Sequence, residues 1–207
     1  TDLNSPAALV FLYPVGTLFL LLVGISLTLS YSRVKHTLTK NQLRMKYLRR
    51  GCMIFCLGLL ITLATWIYPN EGFIVFGILH CIGLSIILAY PFLQNRLSAF
   101  LLGMLCISIG IILRMTVTVE FPWLLWAGFV PTSFYTLDYF PLLPWFGVIL
   151  IGVFLGNSLY QNNNRSFALR DHSGFIITRV VSFLGRHSLI IYLLHQLVIV
   201  GVLYLLP

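Results

Sequence analysis

Two histidines lie where an imidazole has little water to rely on. His80 falls in Phe76-Gly77-Ile78-Leu79-His80-Cys81-Ile82-Gly83, within a stretch from Gly72 to Leu93 that has no charged side chain. His195 lies near the far end of the chain, in Ser188-Leu189-Ile190-Ile191-Tyr192-Leu193-Leu194-His195-Gln196. An imidazole titrates near neutrality, so it can accept a proton from an amine or hydroxyl. Ionisable groups inside a membrane are functional-site candidates by default. On a helix, Ser188, Tyr192 and His195 share one face, with Gln196 beside them. That face must point into a bundle, because unpaired polar groups in lipid are costly. It then serves either as a hydrogen-bonded helix seam or as the lining of a substrate route. A neutral His80 needs only one donor and one acceptor, so its burial alone does not make it a catalyst.

Asp138 opens a third cluster, Asp138-Tyr139-Phe140-Pro141-Leu142-Leu143-Pro144-Trp145-Phe146-Gly147. Proline is tolerated in a first helical turn, and a carboxylate just ahead of it suits the positive end of a helix. The other use of Asp138 is to orient an imidazole or an amine, as in general-base dyads. His80, His195 and Asp138 are therefore the catalytic or supporting candidates. Tyr192, Gln196, Trp145 and Arg114 are the candidates for binding substrate.

The elements that position these residues are membrane helices. Of the 207 residues, 59% are hydrophobic and only 9% charged, against about 25% charged in a soluble domain. Such a chain cannot cover a water-soluble globule, and the expected fold class is all-α, a polytopic transmembrane helix bundle in one integral-membrane domain. Six spans are readable, at about 8–31, 51–68, 73–93, 97–113, 142–160 and 184–206, each near the ~20 apolar residues a bilayer requires. Small residues recur at helical spacing: Gly77, Cys81 and Ser85; Gly103, Cys106 and Gly110; Gly152 and Gly156. These strips let helix backbones approach closely.

Charge sets the expected orientation. All of the 13 lysines and arginines except Arg114 fall on one side of the six-span arrangement. The positive-inside rule makes loops 32–50, 94–96 and 161–183 cytoplasmic and loop 114–141 external. The net charge of +8 is thereby explained by topology, and nucleic acid is not an expected partner. Arg33, Lys35, Arg49, Arg50 and Arg96 stand in or beside these cytoplasmic stretches. The external loop is aromatic, with Phe121, Trp123, Trp126, Phe129, Phe134, Tyr135, Tyr139 and Phe140. It reads as an interfacial anchor or as a lid over an acceptor site. Phe175 to Val181 mixes apolar residues with Arg179 and suits a short interfacial segment. Cys52, Cys56, Cys81 and Cys106 all lie in apolar runs and read as packing residues. No metal is expected.

Four blocks together resemble a known family. They are Val15 to Leu27 with Ser30-Tyr31-Ser32-Arg33, Phe76 to Gly83, Asp138 to Gly147, and Leu184 to Gln196. In this order they resemble the membrane acyltransferases of the heparan-alpha-glucosaminide N-acetyltransferase type, in the prokaryote-type branch. The last block also resembles other membrane acyltransferases. The resemblance implies transfer of an acyl group, typically acetyl, from cytoplasmic acyl-CoA to an acceptor such as a sugar amine or hydroxyl at the outer face. The CoA phosphates would then meet Arg33, Lys35, Arg49, Arg50 and Arg96, since arginine gives bidentate contacts to phosphate. In that family the first span and the loop after it carry an arginine-containing motif and the histidine tied to catalysis. Those positions would precede Thr1, so the principal histidine is expected ahead of it, in a product of seven or another odd number of spans. His80, His195 and Asp138 would then line or support the route. Other expected partners are membrane lipids and a homo-oligomer or larger membrane complex. The rival reading is a non-catalytic membrane subunit that organises proteins or lipids. A transporter is weaker, because neither an inverted repeat nor a pair of broken helices is visible.

The orientation is checked with a short biotin-acceptor tag and a ligase confined to the cytoplasm. Tags within 32–50 or 161–183 should be biotinylated and a tag within 114–141 should not. The opposite pattern inverts the topology.

Overall fold

A computed structural model describes residues 6–68, 70–116, 122–131, 134–161, 164–165, 176–191 and 194. The fold is an all-α bundle of membrane type. Its elements are α1 (Pro6–Val34), α2 (Lys40–Ile67), α3 (Ile78–Ala89) with a 3-10 extension at Tyr90–Phe92, α4 (Arg96–Thr116), a 3-10 segment at Pro122–Ala127, and α5 (Leu142–Leu159). A short antiparallel pair follows, β1 (Tyr160–Gln161) with β2 (Asn164–Arg165), and then α6 (Ile176–Arg186). Four stretches are long and apolar enough to cross a membrane: Tyr13–Val34, Lys40–Ile67, Arg96–Thr116 and Leu142–Leu159. Ile78–Phe92 is a shorter apolar helix. The chain divides into two compact units, 1–166 and 167–207.

In the first unit α5 packs between α1 and α4, while α2 pairs with α3. Each of these three contacts is made through glycine. A Cβ on Gly24 of α1 would run into the carbonyl of Ile149, and one on Gly152 of α5 into that of Leu21. Between α4 and α5, a Cβ on Gly147 would sit 2.6 Å from the Gly103 carbonyl oxygen. Between α2 and α3, a Cβ on Gly51 would sit 2.7 Å from the Gly83 carbonyl oxygen. Lipid offers no hydrophobic drive between helices, so backbone approach of this kind must supply the van der Waals attraction. Leu20, Leu27, Ile149, Leu150 and Val153 fill the α1–α5 seam and are essentially fully buried. The Asn157 side-chain amide donates to the Leu93 carbonyl at 3.1 Å, tying α5 to the end of the α3 segment.

Two helix starts differ from the hydropathy reading. α2 begins at Lys40 rather than Gly51, so much of the basic stretch 32–50 is helical. A capping box accounts for this: Thr39 Oγ1 accepts from the Gln42 amide, and Gln42 Oε1 accepts from the Thr39 amide. No breaker separates Lys40 from Gly51, and a hydropathy window cannot detect a polar helix. α3 begins at Ile78 rather than Phe73, because 72–77 is drawn into hydrogen bonds with the loop before α5. α5 starts at Leu142, as read from the proline block. Of the sixth expected span, only 184–191 and 194 lie within the described residues.

Gly152→Leu should force α1 from α5 and lower stability by about 1–3 kcal/mol, the usual cost of overpacking. Gly185→Ala, where a Cβ would meet nothing within 4 Å, should leave it unchanged. Thermal unfolding in detergent compares the two.

Candidate functional site

The site forms where the connection between α2 and α3 is clasped between the end of α2 and the loop that leads into α5. Residues 72–77 leave the helical conformation, so their backbone groups need partners. Thr62 of α2 donates from Oγ1 to the Ile74 carbonyl at 2.7 Å, and the Ile74 amide donates to Thr65 Oγ1 at 3.1 Å. From the other side the Leu137 amide donates to the Gly72 carbonyl at 2.8 Å, and the Phe140 amide to the Phe76 carbonyl at 3.0 Å. Thr136 Oγ1 donates to the Phe73 carbonyl at 2.9 Å.

The first turn of α3 exposes amides that no helical carbonyl can reach. Two side chains take them. Asp138 Oδ2 accepts from the Ile78 amide at 2.9 Å. His80 Nδ1 accepts from the Gly77 amide at 3.3 Å. Gly77 has no side chain to cap the helix itself, and a Cβ there would collide with the Asp138 carboxylate. The carboxylate thus takes the place that a capping side chain would fill.

His80 is 2% exposed. Its Nε2 lies 3.4 Å from Thr62 Oγ1. The Thr62 proton goes to Ile74, so the threonine oxygen is left to accept from Nε2–H. With Nδ1 accepting from Gly77, the network assigns the neutral Nε2–H tautomer and engages both ring nitrogens. Phe55 meets the ring edge-on at 5.2 Å between centroids, and Phe76 lies at 5.5 Å. On the fourth side is Gly58, where a Cβ would sit 3.0 Å from the imidazole.

Beside this network is an aromatic stack. Trp145 is buried on α5, with Phe140 at 4.9 Å and Tyr13 of α1 stacked on it at 5.9 Å. Arg114, exposed at the end of α4, donates from Nη1 to Tyr13 Oη at 2.5 Å and lies 5.5 Å from that ring's centre. Tyr139 donates its hydroxyl proton to the Leu125 carbonyl at 2.8 Å, fastening the loop onto the segment Pro122–Ala127. Burial pushes the Tyr139 phenol up to about 12, against the opposing pull of Arg114. Burial also raises the Asp138 carboxyl above its ordinary range, and the Ile78 amide opposes that rise.

The structure therefore brings together His80 with Asp138, and Arg114 with Trp145. His195, Tyr192 and Gln196 lie outside the described residues. Arg33 lines a groove at the basic end with Lys46, and Lys35, Arg49, Arg50 and Arg96 are not part of that lining. Cys52 and Cys56 are exposed on α2. Among the described residues, no group of three or more histidine, cysteine or acidic side chains is placed to hold a metal. Sequence reasoning missed Thr62, Thr65, Thr136, Gly58 and Tyr13. The signal was present for the first two, as a pair of hydroxyls one turn apart near the end of an apolar span.

The family model described as heparan-alpha-glucosaminide N-acetyltransferase, catalytic, matches residues 1–197. The chain belongs to this family. Among the curated proteins and the solved structures, nothing matches. The match covers every element described above, including both sides of the His80–Asp138 network. Family membership and the four long apolar helices agree on an integral-membrane protein of the acetyltransferase class. The family uses acetyl-CoA as co-substrate in general.

Asp138→Asn and Asp138→Ala separate capping from charge. The alanine leaves the Ile78 amide unpaired and should cost about 1–3 kcal/mol. The asparagine keeps an acceptor oxygen and removes the buried charge. Because the folded carboxyl holds its proton more tightly than the unfolded one, the wild type loses stability as pH rises from the ordinary carboxylate range through the raised value. Asp138→Asn should flatten that decline and match or exceed the wild type at pH 7, as read from unfolding midpoints between pH 4 and 8.

Proposed function

We propose that the protein is a membrane-embedded acetyltransferase that takes its acyl group from cytoplasmic acetyl-CoA and delivers it to an acceptor at the outer face. The observation that carries this reading is the family match over residues 1–197. The asymmetry of charge supports the direction, with the bases at one end and the aromatic loop at the other. In the reaction the acceptor's amine nitrogen or hydroxyl oxygen attacks the thioester carbonyl. The carbon–sulfur bond breaks, CoA leaves as the thiolate, and a base carries the acceptor's proton to it.

Of the bases Arg33, Lys35, Arg49, Arg50 and Arg96, we assign the last four to the CoA phosphates and Arg33, which lines a groove with Lys46, to a different anion. Arg114 and Trp145 belong to the acceptor end, where the Tyr13 ring and the guanidinium stand together. His195, Tyr192 and Gln196 are assigned to the wall of the route by their shared helical face. His80 and Asp138 act in this reading as positioning residues. Both His80 nitrogens are already engaged, and Asp138 holds the start of α3. The same observation favours a second reading, in which the bundle organises membrane partners without chemistry. The acceptor proposed is a sugar amine or hydroxyl, after the family's description.

The test uses the full chain in lipid nanodiscs with labelled acetyl-CoA and glucosamine as acceptor. Saturable transfer is expected. Arg49→Gln with Arg50→Gln should raise KM for acetyl-CoA about tenfold with kcat nearly kept, the mark of lost uniform binding. Tight acetyl-CoA binding without transfer to any amine or hydroxyl acceptor would support the second reading, and absence of binding would overturn the first.

A further inference from the structure

A groove of about 670 Å³ runs along α1 at the basic end of the bundle. Its wall is apolar, formed by Leu22, Ile25 and Leu29, with Ser26 and Ser30 between them. Its end carries two cations from different helices, Arg33 of α1 and Lys46 of α2, with Val34 and Tyr160 beside them, and among the described residues no acidic side chain lines it. The groove borders the packed seam of α1, with Tyr160 at the end of α5 in its lining, and opens on the exposed face of the helix. Leu20, Gly24, Leu27 and Tyr31 form the buried stripe, whereas Leu22 is 61% exposed and Ser26 and Arg33 are also exposed. A ligand here faces sideways out of the bundle.

We propose that this groove is a binding site for an anionic phospholipid of the leaflet at the basic end. The phosphate sits between Arg33 and Lys46, the glycerol region meets Ser30 and Ser26, and one acyl chain lies along Ile25 and Leu22. The dimensions fit. From Arg33 to Leu22 the helix rises about 16 Å, close to half of a hydrocarbon core of about 30 Å. One leaflet's acyl chain therefore spans the apolar wall when its headgroup is at the cations. Basic pockets between membrane helices are established sites for anionic headgroups. A soluble phosphate ligand would use the two cations and leave the apolar wall bare. A lipid uses both. The site does not depend on acetyl transfer and is read out without it.

The experiment is native mass spectrometry of the full chain released from nanodiscs of mixed phosphatidylglycerol and phosphatidylcholine. The wild type should retain phosphatidylglycerol in preference to phosphatidylcholine. Arg33→Gln with Lys46→Gln should lower that retention at least tenfold. Ser26→Phe, which fills the groove at an exposed position and leaves every charge in place, should do the same. Lys40→Gln with Arg44→Gln removes the same charge from residues that do not line the groove, and should retain lipid as the wild type does. Equal retention by the groove variants and the wild type would overturn the site. So would an equal loss in the Lys40/Arg44 variant, which would show bulk attraction alone. Displacement of the retained lipid by coenzyme A, one for one, would assign the cations to a soluble phosphate ligand and overturn the lipid.

Discussion

An apolar helix that begins inside a bundle carries amides with neither water nor a preceding turn to accept them, and the start of α3 is such a place. Gly77 and Ile78 present their N–H groups where the backbone has just left an extended segment, and in lipid each would cost several kcal/mol unpaired. His80 and Asp138 remove that cost from two directions, one from within α3 and one from the loop sixty residues later. Because Asp138 reaches α3 from the entrance to α5, the cap also sets the loop against the α2–α3 connection. The backbone bonds from Leu137 and Phe140 then follow, as does the placing of Thr136. The position of Trp145 depends on the same anchorage, since Phe140 is both the last bond of the clasp and one face of the aromatic stack.

The rest of the bundle makes this arrangement possible by bringing backbones close. Gly51 against Gly83 sets α3 near enough to α2 for Thr62 to reach the imidazole, and Gly58 leaves room for the ring itself. Gly103 against Gly147, and Gly24 beside Gly152, hold α5 between its two neighbours. These contacts fix the distances between helix backbones, whereas the caps fix hydrogen bonds. A side chain at any of these glycines moves a helix and thereby the donors and acceptors it carries. The two cannot be separated.

Much of the candidate site was legible as residue types. His80 stood out because an ionisable group in an apolar run needs a partner, and Asp138 because it precedes a proline-marked helix start. Their pairing on one helix end was not legible. Local pattern offers Asp138 either as a cap for α5, the helix next to it in the chain, or as a partner for an imidazole or amine, and in the structure it caps α3. Local pattern names the nearest helix, and only the fold can bring a distant one nearer. Arg114 and Trp145 were likewise visible singly, while Tyr13, which joins them, carried no signal beyond being aromatic near the end of a span.

By itself the sequence determined the class of the protein. Composition ruled out a water-soluble surface, the proline block marked the start of α5, and the small-residue strips named helix faces that are buried in the bundle. Hydropathy did so because burial in lipid is a property of each segment averaged over its length. Tertiary structure decided where α3 begins, which helix Asp138 caps, and how both His80 nitrogens are used. Those outcomes depend on single hydrogen bonds between residues far apart in the chain. Such bonds leave no periodic trace in the sequence, because their geometry exists only after the helices have packed.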